Sequence, residues 1–494
     1  MLGFFRIQAI AVALGATVAA DALLLSLTVL TLFDVVFISG AAILTSQAIY
    51  VRRHLTRGTT TAIAGLARSA AMWTWLAFFF GAFCAFAAMP LAGVIAPGFS
   101  DEARSVFALN CALGAMLPPA SALMVFASAL NRINGREVLY TLNPVVINGL
   151  SWLAIVLASA AGSNTAGIMH AFLLTVVAAT LLMFGWQLLC MDREQRHLLQ
   201  AHFLRALLPR SVLIKVRQHR RELQMVSPIV LALLIQQMTT LISYSYATRA
   251  GSGFLLLFGL AERLINVVFA VCIMTFLTVL EPRWARAAVH PNTSREVESD
   301  VIVICVSLMV LTATLMFAGD SLATALFGHG AVNSRDLVQL ADITRIYALS
   351  LPGLSLGVVL SRLLVIHNRG GRIFLVNMLV MLLHLVLCTL FFELWGARGI
   401  AGALSLTFAV QAAAYGWQLS GASVFELRGT KTQVLRLCAT AVLAIGCAWL
   451  ASLLPLPSLA RVMVVALAAL LGAASGAQLV GLRLIQSVTR LAHI

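Results

Sequence analysis

The chain has 494 residues, of which 61% are hydrophobic and only 10% are charged, and it carries a formal net charge of +15. A soluble domain has roughly a quarter of charged residues, so this composition excludes a soluble globular protein and predicts a chain whose apolar surface faces lipid. The positive charge does not indicate nucleic-acid binding, because most basic residues lie in alternate short loops between apolar segments.

Fourteen apolar segments have lengths near the roughly 20 residues that a helix needs to cross a bilayer. In chain order they lie near 1–16, 22–50, 66–94, 105–130, 140–160, 166–190, 225–248, 252–281, 299–318, 343–366, 373–394, 399–420, 433–454 and 460–482. The start resembles a secretory signal peptide, but it lacks the basic n-region and carries Arg6 inside the apolar run. We therefore interpret 1–16 as a transmembrane helix, and the sequence predicts an all-α polytopic membrane protein of about fourteen transmembrane helices.

The basic residues of the short loops indicate which side of the membrane each loop faces. Loops after even-numbered helices carry Arg52, Arg53, Arg57, Arg132, Arg136, Arg283, Arg286, Arg295, Arg362, Arg369, Arg372, Arg428 and Lys431. Loops after odd-numbered helices carry chiefly Arg104, Arg249, Arg335, Arg398 and Arg461, among acidic or neutral residues. Because basic loops stay cytoplasmic, we expect a multi-pass protein of the bacterial cytoplasmic (inner) membrane with both termini cytoplasmic.

A long basic segment at 191–224 divides the chain into two similar parts. Its pattern is typical of an amphipathic helix that lies on anionic lipid headgroups, and a regulatory partner site is the alternative. The sequence ALNRINGR (129–136) follows the fourth predicted helix, and VIHNRGGR (365–372) follows the tenth. The resulting division is an N-terminal lobe at 1–190 (helices 1–6), a basic amphipathic cytoplasmic linker at 191–224, a C-terminal lobe at 225–423 (helices 7–12), and appended helices 13–14 with a short tail at 424–494. Two six-helix lobes in parallel pseudo-repeat predict a central cavity near mid-membrane.

Charged residues inside the predicted spans are candidate site residues, because each costs roughly 2.5–3.5 kcal/mol at a helix centre. Arg6 lies in the first helix, Asp34 in the second, and Glu262 and Arg263 in the eighth. A guanidinium matches phosphate oxygens bidentately, so Arg6 and Arg263 are interpreted as anion ligands, with internal pairing to Asp34 as the open alternative. Asp34 is a candidate counter-ion, cation site or proton-coupling group, and Glu262 a candidate partner of a neighbouring arginine.

Two further polar residues lie within predicted spans, and the sequence lacks the common enzyme motifs. Gln237 in the seventh helix is predicted to line a polar cavity, and His384 in the eleventh is interpreted as a hydrogen-bonded packing residue. The sequence contains no HExxH, P-loop or GxSxG motif and no CxxC pair. Asp101 and Glu102 are adjacent acids, but they begin a predicted helix, where acids serve the dipole. We expect no enzyme, no cofactor, no metal site and a monomer that binds no nucleic acid.

Five short motifs are spread along nearly the whole chain: LGFFR (2–6) followed by ADA (20–22), APGF (96–99), SP through Gln237 (227–237), AERL (261–264) and YALSLP (347–352) with its continuation to Arg362. In sequence and in order, these motifs resemble those of the MurJ/MviN lipid II flippases of the multidrug/oligosaccharidyl-lipid/polysaccharide exporter superfamily. The resemblance implies a two-lobed fold whose cationic cavity opens alternately to each side and holds the diphosphate of a polyprenyl-linked sugar precursor. Arg6 and Arg263 match family cavity arginines, and Asp21 matches a family acid with a structural or coupling role.

The chain departs from the family pattern at three cavity positions. Asp34 stands where the family has an arginine, Ser39 where it has an acid, and Gly357 or a neighbour where a lysine is common. A reversed charge weakens diphosphate affinity unless Asp34 binds a compensating cation, so the cargo need not be lipid II itself.

The leading hypothesis is therefore an alternating-access flippase for a polyprenyl-diphosphate-linked glycan, either lipid II or a related cell-envelope precursor. Arg6 and Arg263 would hold the diphosphate, Gln237 would contact the polar headgroup, and Asp34 would modulate charge or couple an ion. The alternatives are an exporter of another lipid-linked polysaccharide, an ion-coupled drug antiporter of the same superfamily, a membrane glycosyltransferase or ligase, and a transport-dead scaffold.

Overall fold

The computed structural model describes residues 2–207, 220–287, 294–328, 331–367, 370–420 and 427–479. Within these ranges the chain forms α-helices, two π-helical segments and no strands. The helices are α1 (Leu2–Leu14), α2 (Val18–Phe33), α3 (Ile43–Arg57), α4 (Thr59–Phe86), α5 (Ala88–Ile95), α6 (Asp101–Leu113), α7 (Leu117–Ile133), α8 (Glu137–Ala160), α9 (Thr165–Leu189), α10 (Arg193–Leu207), α11 (Arg220–Arg249), α12 (Phe254–Phe269), α13 (Thr275–Ala287), α14 (Ser294–Phe327), α15 (Ser334–Ala348), α16 (Ser350–Ile366), α17 (Gly370–Trp395), α18 (Ala397–Ser420), α19 (Leu427–Ser452) and α20 (Ser458–Leu479). The predicted all-α polytopic class is confirmed.

The number of spans depends on how broken and short helices are treated. In the described part of the chain, 10 helices are long and apolar enough to cross a membrane, and α15 with α16 form an eleventh span bent by 41°. Two shorter apolar helices, Gly3–Leu14 and Arg436–Ser452, lie at the first and thirteenth predicted spans. Helix α11 covers the seventh predicted span, although its first turn is charged. Among the described residues, every predicted span is therefore largely helical.

The chain divides into two compact units, 1–256 and 257–494. The core of the first unit is formed by α4, α7 and α9, with Ile63, Met72, Trp73 and Phe126 among its buried side chains. Helix α10 packs on this core through Leu199, and the Trp75 indole N–H donates to the Leu207 carbonyl at 3.0 Å. This part of the predicted cytoplasmic linker is therefore a docked helix, while 208–219 lie outside the described residues. The predicted lobe boundaries stay a prediction.

A network of buried amides joins α7, α8 and α9 in the first unit. Asn131 Nδ2 donates to Gln187 Oε1 at 2.7 Å, and Gln187 Nε2 donates to Asn143 Oδ1 at 2.9 Å. Asn143 Nδ2 in turn donates to the Ser128 hydroxyl at 2.7 Å. All four side chains are buried, and polar groups in an apolar interior cost free energy unless they are paired. The network therefore fixes the relative positions of three helices.

Removing the central amide of this network is expected to destabilise the protein. Gln187→Leu leaves the amides of Asn131 and Asn143 without their shared partner, at a cost of about 2–4 kcal/mol. We expect a lower midpoint of thermal unfolding in detergent, measured by intrinsic fluorescence. The control is Gln200→Leu, since Gln200 is an exposed residue of α10. Equal midpoints for both variants would contradict a stabilising role for the network.

The second unit contains a close-packed seam of small residues between α14, α19 and α20. Ala313, Ala448 and Ala469 are fully buried along it. A Cβ built on Gly472 would lie 2.7 Å from the Leu443 carbonyl oxygen, so α19 and α20 approach at backbone distance. Small residues permit this approach in membranes, where helix association depends on van der Waals packing.

Two predicted spans are broken at corresponding positions of the proposed repeat. In the fourth span, α6 ends at Leu113 and α7 begins at Leu117, where Pro118 and Pro119 lack the N–H groups that a continuous helix requires. In the tenth span, the bend lies at Leu349, immediately before α16. The second and eighth spans also match, because each contains a π-helical segment, Asp34–Ala42 and Ala270–Met274. These correspondences support the predicted duplication.

Candidate functional site

Arg6 lies on α1, within the first predicted span. It is half-buried, and its Cζ atom is 5.8 Å from the centroid of the Phe172 ring, a cation–π contact with α9. A Cβ on Gly3 would lie 3.6 Å from Asn148 Nδ2 in the middle of α8. Counting 1.5 Å per residue, Arg6 is about 12 Å from the end of α1 at Leu14, in a hydrocarbon core of about 30 Å.

Asp34 lies where the second span changes from α to π geometry. It is half-buried and is the first residue of the π-helical segment Asp34–Ala42. A π-bulge adds one residue to a helix and is frequent at functional sites. Asp34 lies about 24 Å along the span from Val18, so it is deeper toward the predicted cytoplasmic side than Arg6 is.

Gln237 belongs to α11, which lies in the first unit. Its side chain is half-buried, about 18 Å from the end of the helix at Arg249. The hydroxyls of Thr239 and Ser243 on the same helix donate to the carbonyls of Ile235 and Thr239, both at 3.3 Å. These two bonds stay within α11.

Arg263 and Glu262 lie in the second unit, on α12. Arg263 is exposed and forms no ion pair with the side chains that the structure describes, whereas Glu262 is half-buried. Arg263 is about 14 Å from the beginning of α12 at Phe254. A guanidinium at that depth of an apolar helix is expected to face water or an anion, because lipid does not solvate it.

A buried carboxylate joins the second and eighth spans at the end predicted to be outer. Asp21 is 2% exposed, and its two oxygens accept hydrogen bonds from the backbone N–H groups of Gly253 at 2.6 Å and Leu256 at 2.7 Å. Gly253 immediately precedes α12, and Leu256 lies in its first turn, where N–H groups have no partner within the helix. Asp21 therefore caps α12 from a distant part of the chain, and its charge suits the positive end of the helix dipole.

At the predicted outer end, two glycines allow neighbouring segments to approach with their backbones in direct contact. A Cβ on Gly253 would lie 2.3 Å from the Ala16 carbonyl oxygen, and a Cβ on Gly98 would lie 2.2 Å from the Thr248 carbonyl oxygen. Gly253 also has a φ of +80°, which L side chains rarely adopt. The turn between α1 and α2 and the loop at 96–99 thus pack directly on the end of α11 and the beginning of α12.

Three arginines on the predicted outer side of the second unit form ion pairs with two acids. Asp320 contacts both Arg345 and Arg461 at 3.5 Å, and Asp342 contacts Arg345 at 3.6 Å and also Arg398. On the predicted cytoplasmic side, Glu281 pairs with Arg362 at 3.2 Å. On the predicted outer side, two carboxylates thus offset part of the charge of three arginines.

The remaining polar candidates have ordinary structural roles. His384 is buried with Nδ1 2.9 Å from the Thr407 hydroxyl and Nε2 3.3 Å from the Cys388 sulfur, which confirms its interpretation as a hydrogen-bonded packing residue. Asp101 and Glu102 lie in the first turn of α6, and Asp101 pairs with Arg104 at 3.4 Å. The described residues contain no group of three or more His, Cys, Asp or Glu side chains that could hold a metal ion.

One protein family matches nearly the whole chain. Residues 10–467 match the model of the family described as lipid II flippase MurJ. No curated protein sequence matches the chain. The structure resembles a lipid II flippase MurJ in an inward closed conformation, with a TM-score of 0.77 and 14% identity over 97% of this chain and 96% of that one.

Two drug transporters share the fold to a lesser degree. An inward-facing multidrug resistance MATE transporter of the MOP superfamily has a TM-score of 0.68 and 16% identity, covering 86% of this chain and 94% of its own. A MATE transporter of Vibrio cholerae has a TM-score of 0.55 and 14% identity, covering 86% and 96%. These likenesses concern the fold.

Proposed function

The chain belongs to the lipid II flippase MurJ family, and from this premise we propose that it transports its cargo by alternating access, with Arg6 and Arg263 holding the diphosphate of a polyprenyl-linked glycan. As a member, it is a multi-pass membrane transporter rather than an enzyme, its partners are a lipid-linked glycan and membrane lipids, and its role belongs to peptidoglycan biosynthesis in the bacterial inner membrane. The family match over residues 10–467 is the observation that carries the assignment.

The depth of the two arginines supports their role. Each lies about 12–14 Å from the end of its own helix that is predicted to be outer, which is near the centre of the hydrocarbon core. Cations persist there only when they face a polar cavity or a partner. A diphosphate offers several oxygens to each planar guanidinium, and such charge-assisted bonds are among the stronger polar contacts in proteins.

Alternating access requires an end that closes, and Asp21 supplies one. Its two bonds to the first turn of α12 hold the end of the second span against the beginning of the eighth. Because these bonds break together when the helix ends separate, Asp21 acts as a latch on the side predicted to be outer. The orientation, with both termini cytoplasmic, remains part of the proposal and rests on the loop charges.

Asp34 reduces the positive charge of the proposed cavity and is assigned a modulating role. A carboxylate near the diphosphate is unfavourable unless a cation lies between them, so it is also the proposed site of a coupling ion. Gln237 is proposed to contact the uncharged part of the headgroup, since an amide offers both donors and an acceptor. Glu262 is proposed to orient a neighbouring arginine. We expect the transporter to act as a monomer.

Growth rescue of a strain depleted of its own lipid II flippase tests the cargo. We expect the wild-type chain to restore growth and Asp34→Arg to do so at least equally well, because the added cation strengthens diphosphate binding. Rescue by Asp34→Arg alone would identify a diverged cargo that the carboxylate helps to select. Failure of both proteins, when immunoblots show equal membrane levels, would contradict lipid II as the cargo and would favour the polysaccharide exporter.

A drug antiporter is the second candidate, because two MATE transporters share the fold. It predicts export of cationic compounds, which the positive charges of Arg6 and Arg263 near mid-membrane disfavour electrostatically. Resistance assays on the same strains distinguish the two functions.

A further inference from the structure

Asn110 is a buried amide whose polar atoms have no hydrogen-bond partner. It lies on α6, one turn before the break in the fourth span, and its side chain is fully inaccessible. Neither Nδ2 nor Oδ1 contacts a donor or acceptor in the part of the chain that the structure describes. Buried amides are nearly always paired, so one left without partners requires an explanation.

The second broken span also contains buried polar side chains without hydrogen-bond partners among the described residues. Ser350 lies on α16 directly after the bend at Leu349, Ser355 lies further along the same helix, and both are fully buried. Their hydroxyl oxygens also have no partner among the described residues. Unsatisfied polar side chains therefore accompany both breaks, which are corresponding positions of the proposed repeat.

The breaks themselves are closely packed on neighbouring helices. A Cβ on Gly81 of α4 would lie 2.1 Å from the Ala115 carbonyl oxygen. Pro119 cannot donate a helical hydrogen bond to this oxygen, because proline has no backbone N–H. A Cβ on Gly353 would lie 2.6 Å from the Ala409 backbone nitrogen of α18. At the first break and one turn after the second, a glycine thus lets the backbone approach a neighbouring helix directly.

We propose that the two broken spans, α6–α7 and α15–α16, are hinges of the transport cycle. In the other conformation of the cycle, with the predicted outer end open, Asn110, Ser350 and Ser355 gain hydrogen-bond partners. The proposal deepens the alternating-access function and rests on it. In this conformation the three groups are buried at a cost, because an unpaired polar group loses its hydration. Pairing them in the opposite conformation lowers the free-energy difference between the two states. Asn110 is then a positioning residue for transport.

The proposal predicts opposite effects on stability and transport. Asn110→Leu replaces the amide by an apolar side chain of similar size. It therefore removes the free-energy cost of burying an unpaired amide in this conformation, and it also removes the hydrogen bonds that the amide gains in the other conformation. We expect the midpoint of thermal unfolding of the purified protein to rise by roughly 2 °C, transport to fall about tenfold, and hydrogen exchange at 110–120 to slow. Asn110→Ser retains a hydrogen-bonding group and is expected to recover part of the transport.

Asn143→Leu is the matched control, because Asn143 is equally buried and has paired amide atoms. We expect it to lower the midpoint. In the second unit, Ser355→Ala is compared with Ser405→Ala, since the Ser405 hydroxyl bonds the Ile346 and Ala401 carbonyls at 3.0 and 2.9 Å. Ser355→Ala is expected to raise the midpoint and Ser405→Ala to lower it.

A lower midpoint for Asn110→Leu would overturn the proposal, because it would mean that the amide is satisfied in this conformation, for example by water. A raised midpoint with wild-type transport and unchanged hydrogen exchange would overturn it as well, because the amide would then have no role in the other state. If the wild-type chain moves no lipid-linked cargo, the proposed function fails, while the midpoints and hydrogen exchange still decide the hinge.

Discussion

Alanine at either Arg6 or Arg263 is expected to lower transport of the lipid-linked cargo about 10- to 150-fold. The range follows from the loss of charge-assisted hydrogen bonds worth about 1.5–3 kcal/mol, where 1.4 kcal/mol corresponds to a factor of ten. Lysine at the same positions retains the charge but lacks the planar fork, so Arg6→Lys and Arg263→Lys are expected to be intermediate. Transport is measured as growth of the depleted strain and as translocation of fluorescent lipid II in proteoliposomes.

Arg104→Ala is the control for this series, because Arg104 contacts Asp101 near the beginning of α6, outside the proposed cavity. It is expected to transport like the wild type, since pairs between exposed side chains contribute little. Thermal midpoints close to that of the wild type would show that the two alanine variants fold. Normal transport by both alanine variants would refute the assignment of the diphosphate site, whereas it would leave the family membership and the fold intact.

Asp21→Ala is expected to destabilise the outer end by about 3 kcal/mol, because two hydrogen bonds to a charged acceptor are lost and the first turn of α12 is left without its cap. We expect the thermal midpoint to fall by roughly 4 °C and transport to fall as the closed conformation becomes less populated. Asp21→Asn keeps one acceptor without the charge, so its effects are expected to be smaller.

Opening of the predicted outer end, which Asp21 holds closed, can be measured directly. Ala96 is fully buried beside the Gly98 contact, so Ala96→Cys should react slowly with a membrane-impermeant maleimide. The reaction is expected to accelerate when Asp21→Ala is added to that variant. Asp101→Asn serves as the control, since Asp101 is an exposed acid on the same predicted side. An equally slow reaction with and without Asp21 would exclude its role as a latch.

The sequence predicted the helical class and the positions of the charged residues well, because both depend on local composition. Runs of apolar residues mark each span whatever its neighbours are, and Arg6, Asp34 and Arg263 lie in the spans to which they were assigned. The predicted capture of an anion by Arg6 and Arg263 stays a prediction. The resemblance to a flippase family was confirmed by the family match.

Features that depend on distant contacts could not be read in this way. The partners of Asp21 lie more than two hundred residues away in the chain, and nothing near Asp21 indicates them. Asn110 has no distinguishing sequence context either, because its lack of partners is a property of the packed helices. Pro118 and Pro119 are the sequence signal for a broken fourth span, because neither has a backbone N–H to donate.

The two π-helical segments affect how positions along their helices are to be compared. A π segment contains one extra residue, so the helix on its far side is turned by roughly 100° relative to an uninterrupted α-helix. A helical wheel drawn through 34–42 or 270–274 therefore assigns later residues to incorrect faces. Cysteine crosslinks or spin-label pairs designed along these helices must be numbered separately on each side of the π turn.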